Sequence, residues 1–205
     1  ITMIGSTETA KKVISDSSTS IKKYSMELGG NAPFIVFDDA DIDNAINIGA
    51  AIKFGNCGQI CVAANRFFVH EKVHDNFLNG LIEKAKNLKI GYSEDLDFEI
   101  GPLISKKSRD RITNLIKNTI DSGGNLECGG GIPEMNGNWF EPTVISGINE
   151  SMLIFHEEIF GPVASIIKFK YEDEVLNQAN KTEYGLASYL FTKDKKRIDK
   201  FVDEL

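Results

Sequence analysis

The chain has 205 residues, 41% of them hydrophobic and 26% charged, a composition that excludes a disordered or fibrous protein. Its 30 acidic residues outnumber its 23 lysines and arginines, so the net charge is −7, and a nucleic-acid partner is not expected because phosphate contacts need clustered cations. No apolar run approaches the ~20 residues that cross a bilayer, and three cysteines cannot build a disulfide framework, which together predict a cytoplasmic protein without a membrane partner.

The two ends of the chain predict an internal piece of a longer protein. Residues 1–4 lack an initiating Met and are typical of the tail of a buried strand. Residues 198–205 have the pattern of an amphipathic helix but carry no stop signal. Neither end has the features of a targeting peptide.

Strand-like and helix-like segments alternate through the first half of the chain. Strands are predicted at residues 1–4, 24–28, 33–37 and 65–69. The third of these is a continuous apolar run, which is typical of a buried parallel strand. A helix capped by Ser6 or Thr7 follows the first strand, and its apolar face carries Ala10, Val13 and Ile14. Two more helices are predicted, one beginning within residues 38–43 and one over residues 73–88.

The second half of the chain continues this alternation. Residues 112–120 repeat apolar side chains at helical spacing, and Gly123 and Gly124 predict the end of that helix. Short strands are predicted at residues 126–128, 144–145, 164–169 and 187–192, with a helix over residues 173–180 between the last two. Repeated alternation of strands and helices indicates an α/β protein with a mostly parallel sheet flanked by helices.

The segment of residues 56–66 carries the strongest chemical signal. Cys61 follows a glycine-containing turn at a predicted helix start, where unpaired backbone N–H groups stabilise a thiolate and could bind an oxyanion. From the residues alone, the alternative is a small, buried hydrophobic side chain. Cys57 lies four residues earlier and permits a metal or redox pair. No further ligand is near in sequence, since His70 and His74 fall in a strand end and a helix, so no metal is expected.

Three further segments carry weaker signals. Glu27 ends a strand before the flexible Gly29 and Gly30, and a solvated glutamate is its ordinary interpretation. Residues 156–162 place adjacent acids and an aromatic before Gly-Pro, which also fits an exposed turn. Residues 5–8 join a strand to a helix, where the helix N-terminus could bind an anion or simply be capped. The sequence contains no G-x-G-x-x-G, Walker A or H-E-x-x-H motif.

Four of these motifs stand in the order that is typical of the NAD(P)-dependent aldehyde dehydrogenases, which the chain resembles over its whole length. They are Gly-Ser-Thr-Glu at residues 5–8, Glu-Leu-Gly-Gly-Asn at residues 27–31, Gly-Gln-x-Cys at residues 58–61 and Glu-Glu-x-Phe-Gly-Pro at residues 157–162. The resemblance implies the catalytic domain of that superfamily, truncated at both ends. Residues 1–27 would be a remnant of the dinucleotide-binding domain, and residues 28–205 an incomplete catalytic domain.

The resemblance also implies roles for seven residues. Cys61 would attack the aldehyde as a thiolate, with its own backbone N–H as half of an oxyanion hole. Glu27 would activate the water that hydrolyses the resulting thioester. The implied contacts to the cofactor, NAD or NADP, come from Gly5, Ser6, Leu28, Glu158 and Phe160. The residues that choose between the two cofactors belong to a part of the family fold that the chain lacks, and no metal is implied.

Within the superfamily, residues 27–41 are most similar to the succinate-semialdehyde dehydrogenases. Gly55 stands where those enzymes carry an arginine that helps to bind the substrate carboxylate, so a bidentate partner for that group is missing. Some of those enzymes also carry a second cysteine at the position of Ala63. Ile60 and Val62 beside the nucleophile would suit a less polar aldehyde, so both substrate classes stay open.

Two other functions stay open at the level of sequence. Cys61 and Glu27 could support ester hydrolysis or acyl transfer without hydride transfer. The chain could also be a folded, non-enzymatic piece, and we expect the 205-residue piece alone to be inactive because most of the cofactor domain is absent. For the longer protein, the resemblance implies a small-molecule aldehyde substrate and a homo-oligomer.

Overall fold

The fold is that of a computed structural model, which describes residues 1–92 and 97–205. The strands are β1 (Thr2–Ile4), β2 (Ser25–Glu27), β3 (Pro33–Val36), β4 (Arg66–His70), β5 (Asn125–Cys128), β6 (Thr143–Ser146), β7 (Val163–Phe169) and β8 (Tyr189–Phe191). The helices are α1 (Thr7–Asp16), α2 (Ile42–Phe54), α3 (His74–Asn87), α4 (Lys106–Asp121), α5 (Leu153–His156), α6 (Glu172–Ala179) and α7 (Lys195–Glu204), and a 3₁₀ helix spans Gly55–Gly58. The predicted alternation is confirmed, although β8 is shorter than predicted and α5 was not predicted.

Six of the strands form one sheet in the order β5-β6-β7-β4-β3-β8. Neighbouring strands in it run parallel, except for β5 and β6, which are antiparallel. The inner strands β3 and β4 are buried at every position, as expected for strands covered on both faces. The predicted fold class, α/β with a mostly parallel sheet flanked by helices, is confirmed.

The helices pack through the apolar faces that their spacing predicts. Phe77 of α3 lies 6.1 Å from Phe34 of β3, measured between ring centroids, and 6.2 Å from Phe67 of β4. Helix α4 buries Ile112 and three further side chains of the predicted face, and it ends two residues before Gly123, which has a φ of +99°. In residues 1–92 and 97–205, no helix is both long and apolar enough to cross a membrane.

Strands β1 and β2 form a separate parallel pair, in which Ile4 lies opposite Glu27. The prediction that residues 1–4 are part of a buried strand is wrong, because the Ile4 side chain is 82% exposed. Within the described chain, β1 pairs with β2 alone, and the following helix α1 buries only Ala10. The division of the chain into two domains at residue 27 stays a prediction.

The sheet brings the chemically interesting segments to one edge. Gly30 lies just before β3, Cys61 lies just before β4, and residues 157–161 lie just before β7. Strands β3, β4 and β7 are parallel neighbours, so their amino-terminal ends meet at the same edge of the sheet. Three loops that are far apart in sequence therefore come together there.

Candidate active site

A cleft of about 840 Å³ lies among these loops. All seven residues to which the resemblance assigns a role line this cleft: Gly5, Ser6, Glu27, Leu28, Cys61, Glu158 and Phe160. The cleft is also lined by Ser108, Arg111 and Tyr184, for which the sequence predicted no role. The structure thus brings the predicted residues together, while the chemical role of each one stays a prediction.

Cys61 lies in a tight turn. The turn is closed by a hydrogen bond of 3.0 Å from the Ala63 N–H to the Ile60 carbonyl oxygen. The prediction of a helix start at this cysteine is wrong, because residues 61–63 form a turn that leads into β4. The preceding Asn56 and Cys57 have φ values of +49° and +57°, which a right-handed α-helix cannot accommodate. Among the described residues, the Cys61 N–H has no hydrogen-bond partner, so it is available to an oxyanion.

The two neighbouring cysteines have different environments. Cys57 is 1% exposed, and burial raises the pKa of its thiol to about 12, so it is a neutral core side chain at physiological pH. Cys61 is partly exposed at the cleft, where a small molecule can reach it. In the part of the chain that the structure describes, no three His, Cys, Asp or Glu side chains are grouped to hold a metal ion.

Two glycines allow the three loops to approach one another closely. A Cβ atom added to Gly29 would lie 2.3 Å from Oε2 of Glu158, and one added to Gly30 would lie 2.6 Å from the Cys61 carbonyl oxygen. The Gly30 N–H donates a hydrogen bond of 3.1 Å to Oε1 of Glu158. Glu27, at the end of β2, has an exposed side chain, and its carbonyl oxygen accepts a hydrogen bond of 3.0 Å from the Gly5 N–H.

Glu158 is half-buried, unlike the exposed acid of a simple turn. Burial raises the pKa of its carboxyl group, and the hydrogen bond from Gly30 partly opposes this rise. The nearby cations Arg111 and Lys53 also lower it. The Arg111 guanidinium donates to the backbone carbonyl oxygens of Glu158 and Ile159, so this side chain of helix α4 holds the loop that carries Glu158.

Phe160 and Ser6 both line the cleft in which the cofactor is predicted to bind. Phe160 has a φ of +48°, an uncommon backbone conformation for a bulky side chain, and strain of this kind concentrates at functional sites. Ser6 caps α1, because its Oγ accepts a hydrogen bond of 3.2 Å from the Thr9 N–H. The capping interpretation is therefore confirmed, and Ser6 lines the cleft in addition.

Behind the cleft, two buried asparagines join the loops. The Asn65 amide donates to Oδ1 of Asn31 at 2.7 Å and to the Glu157 carbonyl oxygen at 2.8 Å. Its own Oδ1 accepts a hydrogen bond of 3.1 Å from the Ile159 N–H. The Asn31 amide donates to the Phe155 carbonyl oxygen at 3.1 Å. The positions of Cys61 and Glu158 are thus fixed by two side chains to which the sequence assigned no role, although Asn31 ends the Glu-Leu-Gly-Gly-Asn motif.

Lys53, like the asparagine pair, has a buried position that the sequence did not predict. It lies in the last turn of α2 and is completely buried. Burial lowers the pKa of its ammonium group to about 7, and the nearby Glu158 and Cys57 partly oppose this shift. The sequence gives only a weak signal for it, which is a lysine among the apolar residues of an otherwise buried helix face.

Comparison with known proteins places this chain in a family. All 205 residues match the model of the aldehyde dehydrogenase family. The chain is 45% identical over 193 residues to succinate-semialdehyde dehydrogenase (NADP+) 2 of Schizosaccharomyces pombe, a match that covers 94% of this chain and 39% of that protein.

Solved structures give the same result for the fold. The succinate-semialdehyde dehydrogenase of Burkholderia pseudomallei superposes with a TM-score of 0.97 at 40% identity, covering 100% of this chain and 42% of that chain. The betaine aldehyde dehydrogenase of Staphylococcus aureus in complex with NAD+ gives a TM-score of 0.95 at 34% identity, covering 100% of this chain and 41% of that one. This chain spans less than half the length of each of these proteins. The likeness extends along every part of the chain, in sequence and in fold, and the chain therefore belongs to the aldehyde dehydrogenase family.

Proposed function

We propose that the protein containing this chain oxidises an aldehyde to the carboxylic acid with NAD or NADP, through a covalent intermediate on Cys61. The observation that carries the proposal is the meeting of Cys61, Glu27 and Glu158 in one cleft. An accessible thiol, an exposed carboxylate and a half-buried carboxylate supply a nucleophile, a base and a hydrogen-bond acceptor. Similarity to a succinate-semialdehyde dehydrogenase and to a betaine aldehyde dehydrogenase supports the same reaction class.

Cys61 begins the reaction as a nucleophile. Its thiolate attacks the aldehyde carbon, a carbon–sulfur bond forms, and the carbonyl electron pair moves onto oxygen to give a thiohemiacetal. The Cys61 N–H, free of other partners among the described residues, donates to this oxygen. The hydrogen bond that closes the turn from Ile60 to Ala63 restrains the backbone of Cys61, and with it the direction of the Cys61 N–H. Less reorganisation is then needed when the thiolate attacks.

The cleft fits a nicotinamide dinucleotide, which supplies the acceptor for the hydride when it is bound. Gly5 leaves room beside the backbone, since an added Cβ would meet only Cε of Met3, at 3.5 Å. Ser6 lies at the N-terminus of a ten-residue helix, an arrangement that suits a pyrophosphate. Glu158 would accept hydrogen bonds from a ribose, and Leu28 and Phe160 would hold the nicotinamide end.

Glu27 completes the reaction. After oxidation, the acyl group remains on Cys61 as a thioester, and the Glu27 carboxylate takes a proton from a water molecule as that water attacks the acyl carbon. The carbon–sulfur bond breaks, the acid leaves, and Cys61 is regenerated. The exposed side chain of Glu27, at the end of β2, leaves it accessible to water.

Succinate semialdehyde is the first candidate substrate, because relatives of that name are similar along almost the whole chain. An uncharged aldehyde is the second candidate, and three residues favour it. Gly55 offers no cation to a carboxylate, and the apolar Ile60 and Val62 beside Cys61 are 36% and 37% exposed.

The test measures the reduction of NAD and NADP by the full protein that contains this chain, followed by the absorbance of the reduced cofactor. The substrates are a panel of charged and uncharged aldehydes. Cys61→Ser should abolish reduction, whereas Glu27→Gln should allow one stoichiometric burst and then stop, because the thioester is no longer hydrolysed. If the protein cleaves a chromogenic ester through Cys61 but reduces neither cofactor with any aldehyde, the alternative of a thiol esterase holds instead. If Cys61→Ser retains full activity, both functions are excluded for this residue.

We further propose that a domain boundary lies at residue 27 and that the isolated 205-residue chain has no dehydrogenase activity. Residues 1–27 contribute one strand pair and one helix, while the rest of the chain carries the six-stranded sheet. A cofactor held by so few residues of its own domain would bind weakly. We also propose that the full protein is a homo-oligomer, as the family resemblance implies. Aldehyde-dependent reduction of NAD or NADP by the isolated 205-residue chain would overturn its inactivity, and a monomeric elution volume of the full protein in size-exclusion chromatography would overturn the homo-oligomer.

A further inference from the structure

The hydroxyl group of Tyr189 reaches the turn that carries Cys61. It donates a hydrogen bond of 2.7 Å to the carbonyl oxygen of Val62, the residue that follows Cys61. Tyr189 lies in β8, far from the turn in sequence, and no motif of the sequence pointed to it. Its half-buried phenol is thus a long-range contact to the segment with the nucleophile.

The phenol is held in place by the sheet. Tyr189 is in register with Phe34 of β3, and the two ring centroids are 5.8 Å apart. Burial raises the pKa of its hydroxyl group, so the group stays protonated and can donate at physiological pH. The position of the donor is therefore set by strand pairing and ring packing, independently of the turn that it contacts.

The peptide group between Val62 and Ala63 is anchored at both ends. Its N–H donates to the Ile60 carbonyl oxygen at 3.0 Å and closes the turn, and its carbonyl oxygen accepts the hydrogen bond from Tyr189. A peptide group is planar, so fixing the carbonyl end also fixes the direction of the N–H that closes the turn. Without the phenol, this plane can rotate, and the turn around Cys61 loosens.

The preceding peptide is restrained in another way. The Cys61 carbonyl oxygen lies against Gly30, where an added Cβ would be only 2.6 Å away. Backbone contact with Gly30 and the hydrogen bond from Tyr189 thus restrain successive carbonyl groups of one turn. The contact of Gly30 with the Cys61 carbonyl oxygen is steric. The Val62 carbonyl oxygen, by contrast, is oriented by the hydrogen bond from Tyr189.

We propose that Tyr189 is a positioning residue for Cys61, acting through the Val62–Ala63 peptide to hold the thiol and its N–H in the geometry for attack on a carbonyl carbon. The proposal rests on the proposed function of Cys61 as the nucleophile. Tyr189 takes no part in a bond-making step. Its effect should therefore appear in the rate of attack by the thiolate and leave cofactor binding unchanged.

The test compares Tyr189→Phe with a matched control in the full protein that contains this chain. Tyr189→Phe keeps the ring that packs on Phe34 and removes only the donor. Tyr24→Phe is the control, because it removes a phenol hydrogen bond of 2.8 Å to Ser17 outside the cleft. We expect kcat to fall about threefold to tenfold in Tyr189→Phe, as for the loss of one neutral hydrogen bond, with KM for the nicotinamide cofactor within about twofold of wild type.

Alkylation by iodoacetamide gives a readout that does not need turnover. We expect the rate constant for Cys61 to fall by a similar factor in Tyr189→Phe across pH 6–9, while the buried Cys57 stays unlabelled and reports an intact fold. If Tyr189→Phe keeps the wild-type kcat and the wild-type alkylation rate while the protein reduces NAD or NADP, the positioning role is wrong and the proposed function stands. Slower alkylation in a protein that oxidises no aldehyde would reject the proposed function and support the role of Tyr189 in the turn.

Discussion

The side-chain amide of Asn65 donates to Oδ1 of Asn31 at 2.7 Å, and each residue is only 3% exposed. Asn31 follows the loop of Glu27, and Asn65 follows the turn of Cys61. Both amides also bind backbone atoms of the segment that leads to Glu158. One buried pair therefore sets the relative positions of the proposed base, the proposed nucleophile and the proposed cofactor ligand.

Replacement of Asn65 should destabilise the protein strongly. Asn65→Ala would leave Oδ1 of Asn31, the Glu157 carbonyl and the Ile159 N–H without their partner in a buried site. We expect a loss of about 2–4 kcal/mol in the free energy of unfolding, measured by urea denaturation. The control is Asn76→Ala on the exposed face of α3, which should change it by less than about 0.5 kcal/mol. If the two variants have equal urea midpoints, Asn65 does not join the loops of Cys61 and Glu158.

Gly58 should tolerate no side chain. Its φ is +67°, and an added Cβ would lie 2.1 Å from the Gly161 carbonyl oxygen, so Gly58→Ala forces apart the loops of Cys61 and Glu158. We expect at least about 2 kcal/mol of destabilisation and a loss of dehydrogenase activity larger than tenfold. Gly55→Ala is the matched control in the same 3₁₀ helix, because a Cβ there meets no atom within 4 Å. A Gly58→Ala protein with the kcat and urea midpoint of Gly55→Ala would refute the close packing of these loops.

Gly55 also offers a test of substrate charge. Gly55 does not line the cleft of Cys61, but it stands where the resemblance places a carboxylate-binding arginine, and nothing lies within 4 Å of an added Cβ. Gly55→Arg therefore tests whether a guanidinium at this position reaches the substrate. A charge-assisted hydrogen bond contributes about 1.5–3 kcal/mol, so kcat/KM for succinate semialdehyde should rise about tenfold to a hundredfold relative to an uncharged aldehyde of similar length. Gly55→Gln supplies length without charge and should leave the ratio unchanged. If both variants change the ratio alike, the side chain acts by its bulk, and a carboxylate partner must be sought elsewhere.

The sequence predicts much of this fold because local patterns decide it. The apolar spacing in α3 and α4 and the continuous apolar run of β3 each identify an element without tertiary information. The motif order also identified seven residues that prove to share one cleft.

Other features could not be predicted because they depend on contacts between distant segments. The left-handed backbone at Asn56 and Cys57 has no glycine to signal it, so the segment resembled a helix start. The exposure of Ile4 follows from which strands pair with β1, and an apolar side chain alone does not reveal that. Tyr189 acts on Val62 through the pairing of β8 with β3, a relationship that only the fold creates.

The buried Lys53 should make stability depend on pH. Its pKa falls from an ordinary 10.5 to about 7 in the folded protein because burial disfavours the charged ammonium. Between these values the unfolded chain binds a proton that the folded chain does not, so the free energy of unfolding rises with pH.

From pH 7 to pH 8.5 we expect the free energy of unfolding to increase by roughly 1.5 kcal/mol, since a full proton difference gives about 1.36 kcal/mol per pH unit. Above pH 9, ionisation of the Cys57 thiol in the unfolded chain opposes the gain, because its folded pKa is about 12. Lys53→Met is one heavy atom shorter than lysine, keeps an unbranched side chain and removes the titration, so its urea midpoint should be nearly constant from pH 7 to pH 8.5. The same rise in the variant and in wild type would show that another group is responsible.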